Sequence, residues 1–368
     1  MHPIKGIVPY HMQTADNNKE ITIRDLARQL ALSPATVSRA LNNYGNVTKP
    51  TKRRVLEMAE KMGYQTNDFA RILKRRHSNT IGFIVPELDS YIMATVVAGM
   101  EKVASREGYN LIVMQSHGSI TTEATCAHVL FNKRVDGLVV ALSQETPQLD
   151  HFKPFVDKQI PIVSFDADRN SQDFVNLFID NRKAGYAITR HLIEQGCKRI
   201  VHLTARIASP VYKERYEGYR LAMEEFNLPI NKQYIIKCDM DIQAGSAVVE
   251  TILGWEQKPD AILAAGDQCA VGCIMALRSK GIRIPEDIAV AGFGNDLVSM
   301  VVEPGLTTMS YPGYQMGESA INHLVQHLQG AISGSVINNI ILRSDLVVRD
   351  STRLRDAIPV MEYQKQAV

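Results

Sequence analysis

Apolar residues recur at helical spacing in three short segments near the start of the chain. Ile23, Leu26, Ala27 and Leu30 stand at i, i+3, i+4 and i+7, one stripe of a helix, and Thr22 precedes them as an N-cap. A turn at Ala31 and Leu32 follows. Ser33 offers a second capping hydroxyl and Pro34 fills the first helical position, where its missing N–H costs nothing, so a second helix starts there. Val37, Ala40 and Leu41 face its partner, which leaves Pro34, Ala35, Thr36, Ser38, Arg39 and Asn42 outward. Residues 49–62 carry Val55, Ala59 and Met62 on one face behind a Thr48 cap. The pattern predicts an all-α helix-turn-helix headpiece over residues 19–64.

From Thr80 the pattern changes to short apolar runs separated by room for a helix. Residues 81–85, 111–114, 136–140, 160–165 and 175–179 form one series of buried strands; 199–203, 234–237, 261–265 and 287–293 form a second. Strands alternating with helices imply parallel sheets covered on both faces, and two series imply two α/β lobes, spanning residues 80–349. Ligands of such sheets bind beyond the carboxyl ends of the strands, so the place to look is the cleft between lobes. Residues 65–79 read as a linker and 350–368 as the C-terminal tail, while 1–18 and the stretch after Thr352, which lack periodicity, read as disordered.

Charge follows the same division. From Lys19 to Arg76 there are 13 basic and 5 acidic side chains, a net of +8; the rest carries 28 against 34, or −6, within a chain of +2. Positive charge is concentrated where a polyanion would dock. Five cysteines form no C-x-x-C pair, and Cys269 and Cys273, at i and i+4, have no histidine at metal-site spacing. They read as reduced buried thiols, with no metal or cofactor expected. No run approaches the ~18 apolar residues of a membrane span, and the N-terminus lacks a signal-peptide core, so a cytoplasmic protein is expected. Phosphate-loop, G-x-S-x-G and H-E-x-x-H motifs are absent, which sets an enzyme reading behind a binding one.

TIRDLA at 22–27, SPATVSRALN at 33–42 and EMAEKMGY at 57–64 together resemble the LacI/GalR family of bacterial transcription regulators, and the likeness runs from about Ile21 to Thr352. The resemblance implies a periplasmic-binding-protein type I architecture for the two lobes, crossed three times by the chain. On it the first lobe takes Thr80 to about Asn181 plus about Ser310 to Ser335, and the second takes the rest to about Arg349. It places Pro34 and Ala35 on bases through apolar contact and makes Arg39 a bidentate donor to guanine. Ser33, Thr36, Ser38 and Asn42 then fix register on phosphates or cap the helix. NDFARILKRR at 67–76 resembles the hinge helix that folds on DNA, with Leu73 as the minor-groove wedge and Ala70 on the same face. The alternative is a solvated linker.

Family positions that touch effector fall on Tyr91, Ile92, Asp166, Arg215, Met240, Asp267 and Asn295. An arginine at 215 holds adjacent hydroxyls or a carboxylate in a fixed fork, or else forms an interlobe ion pair. Asp166 and Asp267 suit sugar hydroxyls; Asp267 equally suits a helix cap. Three positions depart from the family. Gly266 replaces a frequent Asn, Gly294 a frequent Asp, and Met240 an aromatic platform, with the Asn295 amide a partial substitute. These departures point away from a simple pyranose.

The resemblance therefore implies a homodimeric repressor on a pseudo-palindromic double-stranded operator, nucleoid-associated and without a membrane partner. Its DNA affinity would be set allosterically by a small molecule, a carbohydrate or derivative, bound between the lobes. Two other readings stay open: an architectural or protein-controlled DNA binder whose lobes take no small molecule, and an enzyme fused to a DNA-binding headpiece.

Overall fold

In the computed structural model the chain divides into two compact units, the first ending at Arg76 and the second starting at His77. The structure describes residues 21–41, 47–64, 77–143, 146, 149–165, 174–205, 210–331 and 339–353. Within the first unit the described helices are α1 (Ile23–Leu30), α2 (Pro34–Leu41) and α3 (Lys49–Met62). Thr22 opens α1 with a reciprocal capping box. Its hydroxyl accepts from the Asp25 N–H, and the Asp25 carboxylate accepts the Thr22 N–H at 3.0 Å. Ser33 caps α2 by accepting the Thr36 N–H at 3.1 Å, and Thr48 caps α3. Leu26, Ala27, Leu30, Val37, Ala40, Val55 and Ala59 close into one core, the residues that the periodicity selects. Each fully buried Leu or Val contributes about 1.5–3 kcal/mol.

The second unit carries strands β1 (Thr80–Val85), β2 (Asn110–Gln115), β3 (Gly137–Ala141), β4 (Ile162–Phe165), β5 (Val175–Ile179) and β6 (Ile200–Ala205). They are followed by β7 (Ile235–Cys238), β8 (Ala261–Ala264), β9 (Ala289–Gly294), β10 (Thr307–Ser310), β11 (Asn339–Leu342) and β12 (Leu346–Val347). Between them run α4 (Tyr91–Arg106), α5 (Ile120–Asn132), α6 (Lys153–Asp157), α7 (Asn181–Glu194) and α8 (Pro210–Glu225). The remaining helices are α9 (Ile242–Leu253), α10 (Asp267–Ser279), α11 (Leu297–Val301) and α12 (Gly313–Leu328). The first sheet has the order β11-β5-β4-β3-β1-β2 and the second β12-β10-β9-β8-β6-β7. All pairings are parallel except that of β12 with β10. Strands such as β3 and β8 are buried throughout because helices cover both sheet faces.

The first lobe is closed by a helix from far along the chain. α12 packs on α4 so tightly that a Cβ at Gly99 would lie 2.1 Å from the Tyr314 carbonyl, and one at Gly317 would lie 2.1 Å from that of Val96. The chain crosses between lobes after Ile179, after Ser310 and after Leu342, and Tyr311 and Leu342 pack against the cores of both.

Two expectations are corrected. The last crossing comes after Leu342, because β11 pairs with β5 and extends the first lobe's sheet beyond Ser335. The C-terminal tail does not begin at Asp350. Ser351 and Thr352 are fully buried in the second lobe, where the Ser351 hydroxyl donates to the Val290 carbonyl at 2.6 Å and Thr352 bonds Thr307 and His191. Among the described residues no helix is long and apolar enough to cross a membrane.

Candidate DNA-reading face and effector cleft

On α2, Val37 and Ala40 are buried while Pro34, Ala35 and Arg39 are exposed and Thr36 and Ser38 half-buried. Thr36 is drawn back into the cap, its hydroxyl 2.9 Å from that of Ser33. The Arg39 guanidinium lies along the helix, its Nε donating to the Ala35 carbonyl at 3.3 Å. Pro34, Ala35 and Arg39 thus share one open face with positive charge at its C-terminal end. Asn42, Ala70 and Leu73 lie outside the described residues, and so does Asp166.

In the second unit the remaining effector candidates meet at the carboxyl ends of the strands. Arg215, on α8, is only 8% exposed. Its Nε donates to the Asn181 side chain at 3.0 Å and its Nη1 to the Ala265 carbonyl at 2.7 Å, while its plane lies 3.7 Å from the Phe293 ring centre. Stacking and two bonds hold the guanidinium in a set orientation.

Asp267 is 3% exposed and begins α10, yet it does not cap that helix; Gly266 occupies the N-cap position. One Asp267 oxygen accepts from the Thr308 hydroxyl at 2.6 Å and the other from the Asp296 N–H at 2.8 Å. Burial pushes its carboxyl up to about 6, against the pull of those two bonds. Thr308 also accepts the Asn295 N–H, and the Asn295 carbonyl accepts from Arg349 Nη2 at 2.7 Å. Asp267, Thr308, Asn295 and Arg349 therefore form one polar network under the cleft.

Gly294 has a φ of +137°, so the aspartate frequent there would be strained. A Cβ at Gly294 would also lie 3.3 Å from Ile92, which reaches across from the first lobe. Tyr91 stands exposed beside Ile92 at the start of α4. Met240 lies over Gly266, at 3.5 Å from where a Cβ would stand, and fills the space an asparagine there would share. Thr308, Arg349, Asn181 and Phe293 escape sequence reasoning because their roles arise only where distant strands meet. The one legible hint is Asn181, two residues after a strand end.

Near Arg215, His202 is buried against Tyr216 and Tyr219, its ring 5.1 Å from that of Tyr219. Neither of its nitrogens has a hydrogen-bond partner among the described residues, and burial lowers its pKa to about 4. All five cysteines are free and buried, and no three His, Cys, Asp or Glu among the described residues stand so as to hold a metal ion.

Two family models match the chain. Residues 78–347 match "Periplasmic binding proteins and sugar binding domain of LacI family", and residues 22–67 match "Bacterial regulatory proteins, lacI family". The chain belongs to the LacI family. Relatives of this LacI-family chain include the HTH-type transcriptional regulator RegA of Clostridium saccharobutylicum, 31% identical over 90% of this chain and 99% of its own. Another is the HTH-type transcriptional repressor CytR of Escherichia coli K12, 29% identical over 93% and 99%. In fold the chain is similar to the Lac repressor dimer bound to operator and the anti-inducer ONPF, with a TM-score of 0.81 at 24% identity over 91% of this chain and 99% of that one. As a LacI-family member it is a DNA-binding transcription regulator with an allosteric effector domain, its headpiece in the first unit and its effector lobes in the second.

Proposed function

We propose that this LacI-family chain is a homodimeric, cytoplasmic repressor, not an enzyme, that releases or tightens on a pseudo-palindromic operator when a hydroxylated or carboxylated small molecule, a carbohydrate or derivative, enters the cleft. Arg215 carries the reading: it is nearly buried, oriented by Asn181, Ala265 and Phe293, and stands where ligands of parallel sheets bind. It grips the effector's adjacent hydroxyls or carboxylate. Asn295 offers its amide NH2, since its carbonyl is taken by Arg349. Asp267 acts mainly by positioning Thr308 and the 295–296 turn. Tyr91, Ile92 and Met240 give an adaptable apolar wall, and Asp166 joins them on the family likeness alone.

In the headpiece, residues 19–64, Arg39 reads a guanine while Pro34 and Ala35 contact bases, and Ser33, Thr36, Ser38 and Asn42 set register. Residues 65–79 act as hinge, with Ala70 and Leu73 as its minor-groove face. The second copy docks on adjoining helices α10 and α11, of which the first exposes Met275 and the second Leu297, Met300 and Val301.

The test is to select a palindrome from random duplexes with the full chain and measure its affinity by fluorescence anisotropy at fixed salt. Sugars, sugar acids, sugar phosphates and nucleobases are then added in turn. One class should shift affinity by about fivefold or more, and Arg215→Ala should abolish the shift while keeping ligand-free affinity. Affinity indifferent to every compound would instead favour a binder without a small-molecule effector. Turnover of a compound would favour an enzyme.

A further inference from the structure

We propose that Asp136 is a clamp that fixes the direction in which the chain leaves the two-lobed unit toward the headpiece, and thereby sets the half-site spacing the protein accepts. The inference rests on the reading of the chain as a palindrome-binding dimer. Asp136 immediately precedes β3, and its side chain is 5% exposed. One carboxylate oxygen accepts the Ser78 N–H at 2.9 Å and the other the Asn79 N–H at 2.7 Å. The Ser78 carbonyl accepts from the Thr80 hydroxyl at 3.2 Å, and the Asn79 carbonyl accepts the Asn110 N–H at 2.8 Å. Every backbone donor and acceptor of residues 78 and 79 is therefore committed before β1 begins. These are nearly the first residues of the second unit, which starts at His77. Asn79 is held at a φ of +49°, so the chain turns there in a left-handed step.

The second lobe repeats the device with nothing attached. Asp260 immediately precedes β8 and accepts the N–H groups of Lys198, at 3.0 Å, and Arg199, at 2.8 Å, just before β6. β8 pairs with β6 as β3 pairs with β1. What Asp260 clamps is a turn internal to the lobe, leading from α7. What Asp136 clamps is the segment that leads to the DNA-reading helices. A carboxylate at this site, buried at Asp136 and a quarter exposed at Asp260, thus has a structural duty in both lobes and a second duty in one.

That duty follows from how two linked headpieces bind. The effective concentration of the second headpiece at its half-site depends on the reach and stiffness of its tether. A tether with a fixed origin concentrates that headpiece at one spacing, and one with a loosened origin spreads it over several.

The experiment varies the centre of the selected palindrome by one and two base pairs and measures the affinity of the full chain by fluorescence anisotropy. The wild type should lose on the order of tenfold affinity when the spacing departs from the selected one. Asp136→Asn, and Asn79→Gly, which keeps the left-handed step without strain and is expected to fold, should reduce that loss to about threefold or less. Both should bind a single half-site duplex as the wild type does. Asp260→Asn should keep the wild-type spacing profile. The proposal is overturned if Asp136→Asn and Asn79→Gly, folded by circular dichroism, keep that profile, or if Asp260→Asn flattens it equally. A wild type that binds one half-site as tightly as two overturns the underlying dimer reading as well, and is recognised before any variant is made.

Discussion

The imidazole of His202 stays neutral in the folded lobe because a charge there would be closed in by Tyr216 and Tyr219 without a partner. Its pKa is about 4 when folded and 6.5 when free, so only the unfolded chain takes up a proton between those values. Its contribution is complete above pH 6.5 and about 3 kcal/mol is lost as the pH falls to 4. Asp267 works in the opposite sense. Its carboxyl sits at about 6 when folded and 3.8 when free, so the folded chain takes up the proton first and gains about 2 kcal/mol on acidification from 6 to 4. The two nearly cancel in the wild type over that range. His202→Phe keeps a ring packed against the tyrosines and removes the first of these two contributions. Urea unfolding should find its stability relative to wild type rising by about 3 kcal/mol between pH 6.5 and 4; a difference independent of pH would mean that His202 is protonated equally in both states.

At the scale of the helix, α2 is positioned by the Ser33 cap and two buried residues so that its exposed face ends in Arg39. Arg39→Ala should relax base preference at one position of each half-site by about 1–3 kcal/mol in competition binding. Equal loss on every sequence would make it a phosphate contact. The elements of the headpiece were legible because each buries a stripe and carries its own cap: Ile23 to Leu30 after Thr22, Pro34 to Leu41 after Ser33. β1, β3 and β8 were legible because burial on both faces leaves an uninterrupted apolar run. β11 was not, since it is an edge strand with Ile341 turned to solvent, and β10 reads TTMS, with hydroxyls whose partners include the distant Thr352, Asp267 and Asp345. For the same reason Arg215 and Asp267 could be picked from the sequence while Thr308, Arg349 and the clamp at Asp136 could not. Their functions depend on which distant backbone arrives beside them.

For the molecule as a whole, the exposed apolar surface of α10 and α11 is the dimer interface proposed above. Val301 is 74% exposed, and a charge there leaves the lobe core untouched while burying poorly between two copies. Val301→Asp should sediment as a monomer in analytical ultracentrifugation, and its palindrome affinity should fall by about 100-fold or more as the second headpiece is lost. A variant that stays dimeric would place the interface elsewhere.

The packing of α12 against α4 also bears on how the protein is made. Lys102 and Glu318, which pair across these helices at 3.0 Å, are 216 positions apart in the chain. At the usual pace of translation, the ribosome takes roughly 10–40 s to cover that distance. The second lobe, nearly all of whose residues lie within this interval, emerges and can begin to fold while the first still waits for its closing helix and for β11. The nascent chain thus passes through a stage in which the older lobe is the unfinished one, with the apolar face of α4 and the edge of β5 uncovered and within reach of chaperones.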